Sequence, residues 1–414
     1  MAAKLALRKA TLLADTSSWT YLLSFETFFL LFLLAGIYKA DPRFSWVPVD
    51  LTLLFFVLSF LAGTWILIQR RFHIHYHGLN VALAGVAFIV WIVITLLWTP
   101  SSEYAVQKTL YIAILNLWSL IGAALIIAPE QHRVHRFMMV FVFFAIWLAI
   151  EAVSQYVQGR TSWFVTVLGS NYLALGRVLS VAILIILGVQ LSENRWWIKA
   201  FYLLLALLFF FVLLIAGGRG PFAATLGGLG VLLVGGCRFS KRKLIIRQYW
   251  GALLVALSLL GILMYLVASQ GQLPTTIKRF LVLVYEPGGG ISLTERLEWY
   301  LETPRLWGES PLVGHGIGSW PILIGLGDQR GYPHNIIAEV IVELGLVGLI
   351  LFLALVVIAL CVLGDWRGDP KRLVLMMVFT STFLVAQVSG DIPDHRLMFA
   401  VLGLMALKHN ASKG

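Results

Sequence analysis

The sequence predicts an all-α polytopic membrane protein with about twelve transmembrane helices, a single integral membrane domain over residues 1–414. Three observations predict it. Hydrophobic residues make up 60% of the chain. Charged residues make up only 12%, about half the roughly 25% of a soluble domain. The mean hydropathy is +0.89. The same numbers exclude an ordinary soluble enzyme, a disordered chain and a disulfide scaffold. A net charge of +11 would suggest nucleic acid as the partner of a soluble chain. Here a membrane cause comes first, because cytoplasmic loops collect Lys and Arg, so membrane lipids and no nucleic acid are expected. Cys237 and Cys361 lie near the ends of apolar stretches and read as small packing residues; two cysteines build neither a metal site nor a framework.

A helix needs about 20 apolar residues to cross a bilayer. The stretches that qualify are 20–38, 47–68, 79–98, 106–128, 137–156, 172–191, 198–216, 220–235, 249–268, 336–363, 372–389 and 396–408, the eighth and twelfth being short. Met1–Thr16 is basic and lacks the apolar core of a cleavable signal peptide. An even number of spans puts both termini on one side. Basic residues concentrate at the termini and in the alternate connections around 70–71, 133–136, 195–199, 238–247 and 367–372, which predicts cytoplasmic termini. Residues 269–335 then form one large external loop. Within it Thr276–Tyr285 is basic then apolar, suited to lying at the membrane interface, and Leu293–Thr303 is expected to be helical up to Pro304. A Gly- and Pro-rich stretch, Gly308–Pro321, follows.

Charge in or beside hydrocarbon is costly and functional by default. Arg177 stands about six residues into the sixth span. Arg219 stands in the short turn Ala216-Gly-Gly-Arg-Gly-Pro221, whose glycines let backbone and ligand approach closely. Arg296 shares a helical face with Trp299, Tyr300 and Thr303. His334 precedes the tenth span, and Asp391, Asp394, His395 and Arg396 fill the last outer turn. Each has a structural alternative. Arg177 could snorkel to headgroups, Arg219 could anchor at the interface, and Arg296 could pair with Glu295, Glu298 or Glu302. His334 could cap a helix, and Asp391 could pair with Arg396. Glu339 and Glu343, four apart in the tenth span, read as structural partners of buried arginines. Glu26 and Glu151 have no partner that the sequence identifies.

Several arginines without an Asp-x-Asp pair suit a diphosphate held without metal, since a guanidinium offers a planar fork of donors and stays charged. A histidine can take a proton from a hydroxyl. Together they describe transfer of a group from a lipid diphosphate to an alcohol, with no cofactor.

The run Arg296-Leu-Glu-Trp-Tyr300, then Pro311-Leu-Val-Gly-His-Gly316, His334-Asn335 and Glu343-Leu-Gly-Leu-Val-Gly348 resembles the O-antigen ligase and polymerase superfamily. The Gly-Gly-Arg-Gly turn at Arg219 resembles that family's small-residue–Arg turn, although many members have Ser-Arg there. The resemblance implies a type-C glycosyltransferase-like helical fold in the bacterial inner membrane, with a periplasmic loop over the active site. It implies metal-independent transfer from an undecaprenyl-diphosphate-linked glycan donor. It maps two essential arginines to Arg219 and Arg296, a catalytic histidine to His334 and, less directly, an acid to Asp391. Arg177 and Trp299 complete the expected binding set. A ligase would pass the glycan to lipid A-core, building lipopolysaccharide; a polymerase would pass it to another lipid-linked repeat unit. Some members of the family are solute or inorganic-carbon transporters, which would instead place polar groups at mid-membrane in paired halves.

Overall fold

The structure is a computed structural model that describes residues 23–159, 164–190, 193–240, 243–246, 261, 265, 273–285, 291–367 and 369–408. Its helices are α1 (Phe25–Tyr38), α2 (Leu51–Gln69), α3 (Tyr76–Thr95), α4 (Tyr104–Ile127, which includes two π-helical stretches), α5 (Gln131–Val157), α6 (Tyr172–Gln190) and α7 (Trp196–Ala216). They continue with α8 (Arg219–Gly236), α9 (Thr275–Tyr285), α10 (Ile291–Glu309), α11 (Trp320–Leu323), α12 (Ile336–Leu363), α13 (Pro370–Ala386) and α14 (Arg396–Leu404). Seven of the described helices, α2 to α7 and α12, are long and apolar enough to span a bilayer. α1 and α8 are shorter apolar helices, and α13 and α14 have 17 and 9 residues. The expected span 249–268 lies outside the described residues except for 261 and 265. The departure from an all-α fold among the described residues is a two-stranded antiparallel hairpin, β1 (Cys237–Ser240) with β2 (Lys243–Ile246). It forms where the apolar run of α8 gives way to a basic connection too polar to continue a membrane helix.

Local chemistry sets the helix ends. Asp50 accepts from the Thr52 and Leu53 amides at the start of α2, and Asp369 accepts from the Lys371 amide at the start of α13, both N-caps. α7 ends at Gly217, whose φ of 93° is the left-handed cap that a Cβ would disfavour. α10 does not stop before Pro304 as expected but runs through it to Glu309. Its last turns are held by Arg305, which bridges Glu302 and Glu309 at 2.7 Å each, and by Leu306, buried against Trp320 and Val342. These contacts offset the one backbone bond that proline removes.

Buried acids take partners that the linear sequence hid. Glu26 meets Arg133 at 2.8 Å, and Glu151 meets Arg43 at 2.6 Å. The partner of Glu339 and Glu343 is a lysine, not an arginine. Lys108 Nζ lies 2.6 Å from each, and all three side chains are fully buried.

The Gly-rich stretch is a docking element. His315 N donates to Val342 O and Gly316 N to Glu343 O at 2.8 Å, while Leu346 N and Val347 N return bonds to Pro311 O and Leu312 O. These bonds need an open helix, and α12 is opened at Gly345, with φ 68° and ψ −167°. Only glycine adopts that conformation readily, and a Cβ there would collide with Leu312 O and Gly314 N. The two glycine motifs of the sequence are therefore the two halves of one backbone joint.

Gly345→Ala is expected to destabilise the protein by at least about 1–3 kcal/mol from backbone strain alone. Gly308→Ala, in open space within α10, should be neutral or stabilising. Thermal melting of both variants in detergent checks this; equal melting points would remove the joint.

Candidate active site

Four elements converge on a cavity of about 1070 Å³. α6 brings Arg177, α10 brings Arg296, the segment after α11 brings Arg330, Tyr332 and His334, and the turn before α14 brings Ser389, Asp391 and Asp394. One wall is apolar, with Leu53 and Phe56 of α2 facing Leu110 and Ile114 of α4. Four of the expected site residues, Arg177, Arg296, His334 and Asp391, thus share one space. Arg219 is not in its lining; it sits on the adjoining α7–α8 turn, near enough to Arg296 to feel its charge.

His334 is held in an unusual way. Its φ is 58°, sparsely populated for a non-glycine residue and a form of strain found at functional sites. The helix cap is supplied by its neighbour: Asn335 Oδ1 accepts from the Ile337 and Ala338 amides. His334 is therefore free of the capping role. Its ring stacks on Trp299 at 5.5 Å and 14° and meets Tyr332 edge-on at 4.6 Å. Nδ1 is buried without a hydrogen-bond partner. Burial, then the charge of Arg296, pushes the imidazole pKa down to about 4, with Asp391 opposing. The ring is neutral at pH 7 and has an unused nitrogen.

Asp391 does not orient that ring. Its carboxylate accepts from Arg330 at 3.0 and 3.2 Å and from the Tyr104 hydroxyl at 3.1 Å. Burial raises its pKa, but Arg330 and then Lys108 outweigh this and hold it below the usual carboxylate range. The alternative pair with Arg396 is also absent, for Arg396 donates to Phe32 O and lies over the Phe32 ring. Arg330 further meets Asp394 at 2.9 Å. The same loop is tied down by Asp328, which accepts from the Ser101 hydroxyl and from the Ser102, Glu103 and Tyr104 amides at the start of α4. Those bonds, the Ser101 hydroxyl first, hold its carboxyl well below the usual range.

The arginines are differently placed. Arg177 turns inward and donates to Ser389 Oγ at 2.7 Å, so it does not snorkel outward, and its Nε has no partner. Arg219 donates to Arg279 O at 3.2 Å. Of the acids available to Arg296 in the sequence, Glu302 pairs with Arg305, and among the described residues no ion pair involves Arg296. One face of Trp299 is taken by His334, so its first role in the fold is to orient that ring.

Arg330, Lys108 and Arg279 were missed from the sequence. Lys108 carried a readable signal, a lone lysine inside an apolar stretch. Arg330 sits four residues before His334 in a polar loop, and Arg279 in a basic pair, where nothing marks either as special.

No curated protein matches the chain. A family model described as O-antigen ligase matches residues 203–353, which span α7 to mid-α12 and contain Arg219, Arg279, Arg296, His334 and the glycine joint. Over those residues, about a third of the chain, the sequence is similar to the O-antigen ligase family.

Proposed function

We propose that the protein is an O-antigen ligase-type glycosyltransferase of the bacterial inner membrane. It transfers a glycan from undecaprenyl diphosphate to a sugar hydroxyl of lipid A-core at a periplasm-facing site, without a divalent metal. The observation that carries the reading is a histidine of lowered basicity sharing one cavity with Arg177 and Arg296, which no described carboxylate pairs. In this scheme the neutral His334 imidazole accepts the proton of the acceptor hydroxyl as its oxygen attacks the anomeric carbon. The anomeric carbon–oxygen bond to the diphosphate breaks, and the electron pair leaves on undecaprenyl diphosphate. Arg219 and Arg296 stabilise the charge that develops there, with Arg177 supporting from α6. The apolar wall between α2 and α4 offers the polyprenyl chain a lipid-like surface. A polymerase would use the same groups with a lipid-linked repeat as acceptor. Transport fits less well, because Arg177, Arg296 and Arg330 collect in one cavity rather than in two paired halves.

Glycolipid analysis of a deletion strain tests the assignment. Loss of O-antigen from lipid A-core, with lipid-linked polymer accumulating, is expected; cores carrying a single repeat would instead identify a polymerase.

Arg219→Ala and Arg296→Ala should each lower kcat/KM by about 10²–10³-fold, the scale of losing one transition-state donor. Arg→Lys should also be impaired, since it keeps the charge and loses the fork. Full transfer by both alanine variants at normal expression would reject their role.

For His334 the pH profile is diagnostic. A base must be neutral to act, and a pKa lowered to about 4 keeps it neutral as the pH falls through 6.5. The acid limb of kcat/KM, which reports the free enzyme, is expected near pH 4, and His334→Ala should cut turnover about 10²–10⁴-fold with donor binding retained. A limb at pH 6.5, or turnover unchanged in His334→Ala, would move the base elsewhere.

A further inference from the structure

We propose that Arg279 of α9 is a further ligand of the donor diphosphate, so that the interfacial helix holds the anionic head together with α8 and α10. This rests on the lipid-diphosphate reading above and adds a residue and an element to it.

Arg279 Nη1 donates to Gly217 O at 2.7 Å and to the Tyr172 hydroxyl at 3.1 Å. Its guanidinium lies 5.1 Å from the Phe164 ring centre and 5.3 Å from that of Tyr172, two rings that are themselves stacked at 4.1 Å. Every one of these partners is neutral. They fix the plane of the guanidinium and, among the described residues, leave its charge uncompensated.

The same turn places a second cation beside the first. Arg219 Nη1 donates to Arg279 O, and the charges of Arg279 and Arg296 both act on Arg219. The juxtaposition is not an accident of a loose loop. Thr276 Oγ1 donates to Leu213 O at 3.0 Å and accepts from the Gly217 amide at 3.1 Å, both buried, so α9 is pinned to the α7–α8 turn. Among the described residues no ion pair involves Arg219, Arg279 or Arg296. Like charges gathered on a built turn, with neutral supports and no paired acid among the described residues, call for an anion from outside. A diphosphate has the oxygens to bridge several guanidiniums, and planar bidentate contacts are what arginine provides. A phospholipid headgroup offers the same chemistry with a single phosphate, and the experiment separates the two.

Arg279→Gln is the informative variant, because glutamine keeps an N–H donor for Gly217 O and removes the charge. With the full-length protein in phosphatidylglycerol-containing nanodiscs, affinities for farnesyl diphosphate and farnesyl monophosphate are measured by calorimetry. Lys278→Ala, an exposed lysine on the same helix, serves as control. Arg279→Gln is expected to weaken the diphosphate by about 10–100-fold, the range for one charge-assisted hydrogen bond. It should weaken the monophosphate less, with the melting point kept and Lys278→Ala at wild-type affinity. Wild-type diphosphate affinity in Arg279→Gln, while Arg219→Ala loses it, would make Arg279 a brace of the turn and overturn the proposal. Native mass spectrometry showing phosphatidylglycerol lost from Arg279→Gln, with diphosphate affinity intact, would assign the site to a headgroup and overturn it as well. Absence of diphosphate binding in the wild-type protein would remove the donor reading itself, and this inference with it.

Discussion

The buried triad of Lys108, Glu339 and Glu343 is the constraint on which the rest of the architecture depends. One ammonium faces two carboxylates with no exposed surface on any of the three, so the lysine alone cannot satisfy them. The remaining lone pairs take backbone amides. Glu343 accepts from Gly318 N at 2.9 Å, and Glu339 accepts from Ile392 N at 3.2 Å. A buried charge left without its partner costs about 3–5 kcal/mol, a large part of the 5–15 kcal/mol that holds a typical domain together. That penalty, more than any net attraction, fixes α4, α12, the Gly-rich stretch and the Asp391 turn in one arrangement.

The site inherits its geometry from that arrangement. The glycine joint at Gly345 lets the Gly-rich stretch lie against opened turns of α12, and Trp320 and Leu306 pack there to seat α10. α10 in turn presents Trp299 to His334. From the other side, Asp328 anchors the loop to the start of α4, and Arg330 ties it to Asp391 and Asp394. His334 is thus held by rings rather than by a carboxylate. A ring held in this way keeps its lowered basicity, whereas a carboxylate partner would have raised the pKa.

The arginines show the opposite economy. Other cations are matched by carboxylates, Arg133 by Glu26 and Arg43 by Glu151. At Arg177, Arg219 and Arg279 the supports are hydroxyls, carbonyls and aromatic faces. These hold position without cancelling charge, which is the difference between a structural ion pair and a site prepared for an anion.

Much of this was legible in the sequence. Mean hydropathy and the length of the apolar runs determined a helical membrane protein, since only helices satisfy their own backbone in lipid, and the bounds of the 336–363 helix were read to the residue. The out-of-place charges at Arg177, Arg296, His334 and Asp391 marked side chains that share one cavity, because intramembrane charge is too costly to be incidental. Only the tertiary structure decided the partners: Lys108 for the two glutamates, Arg330 rather than Arg396 for Asp391, Trp299 rather than Asp391 for His334, and Arg279 beside Arg219. Periodicity and cost say that a charge must be compensated. Which residue compensates it depends on contacts between segments up to 364 positions apart, and those are set by how the helices pack.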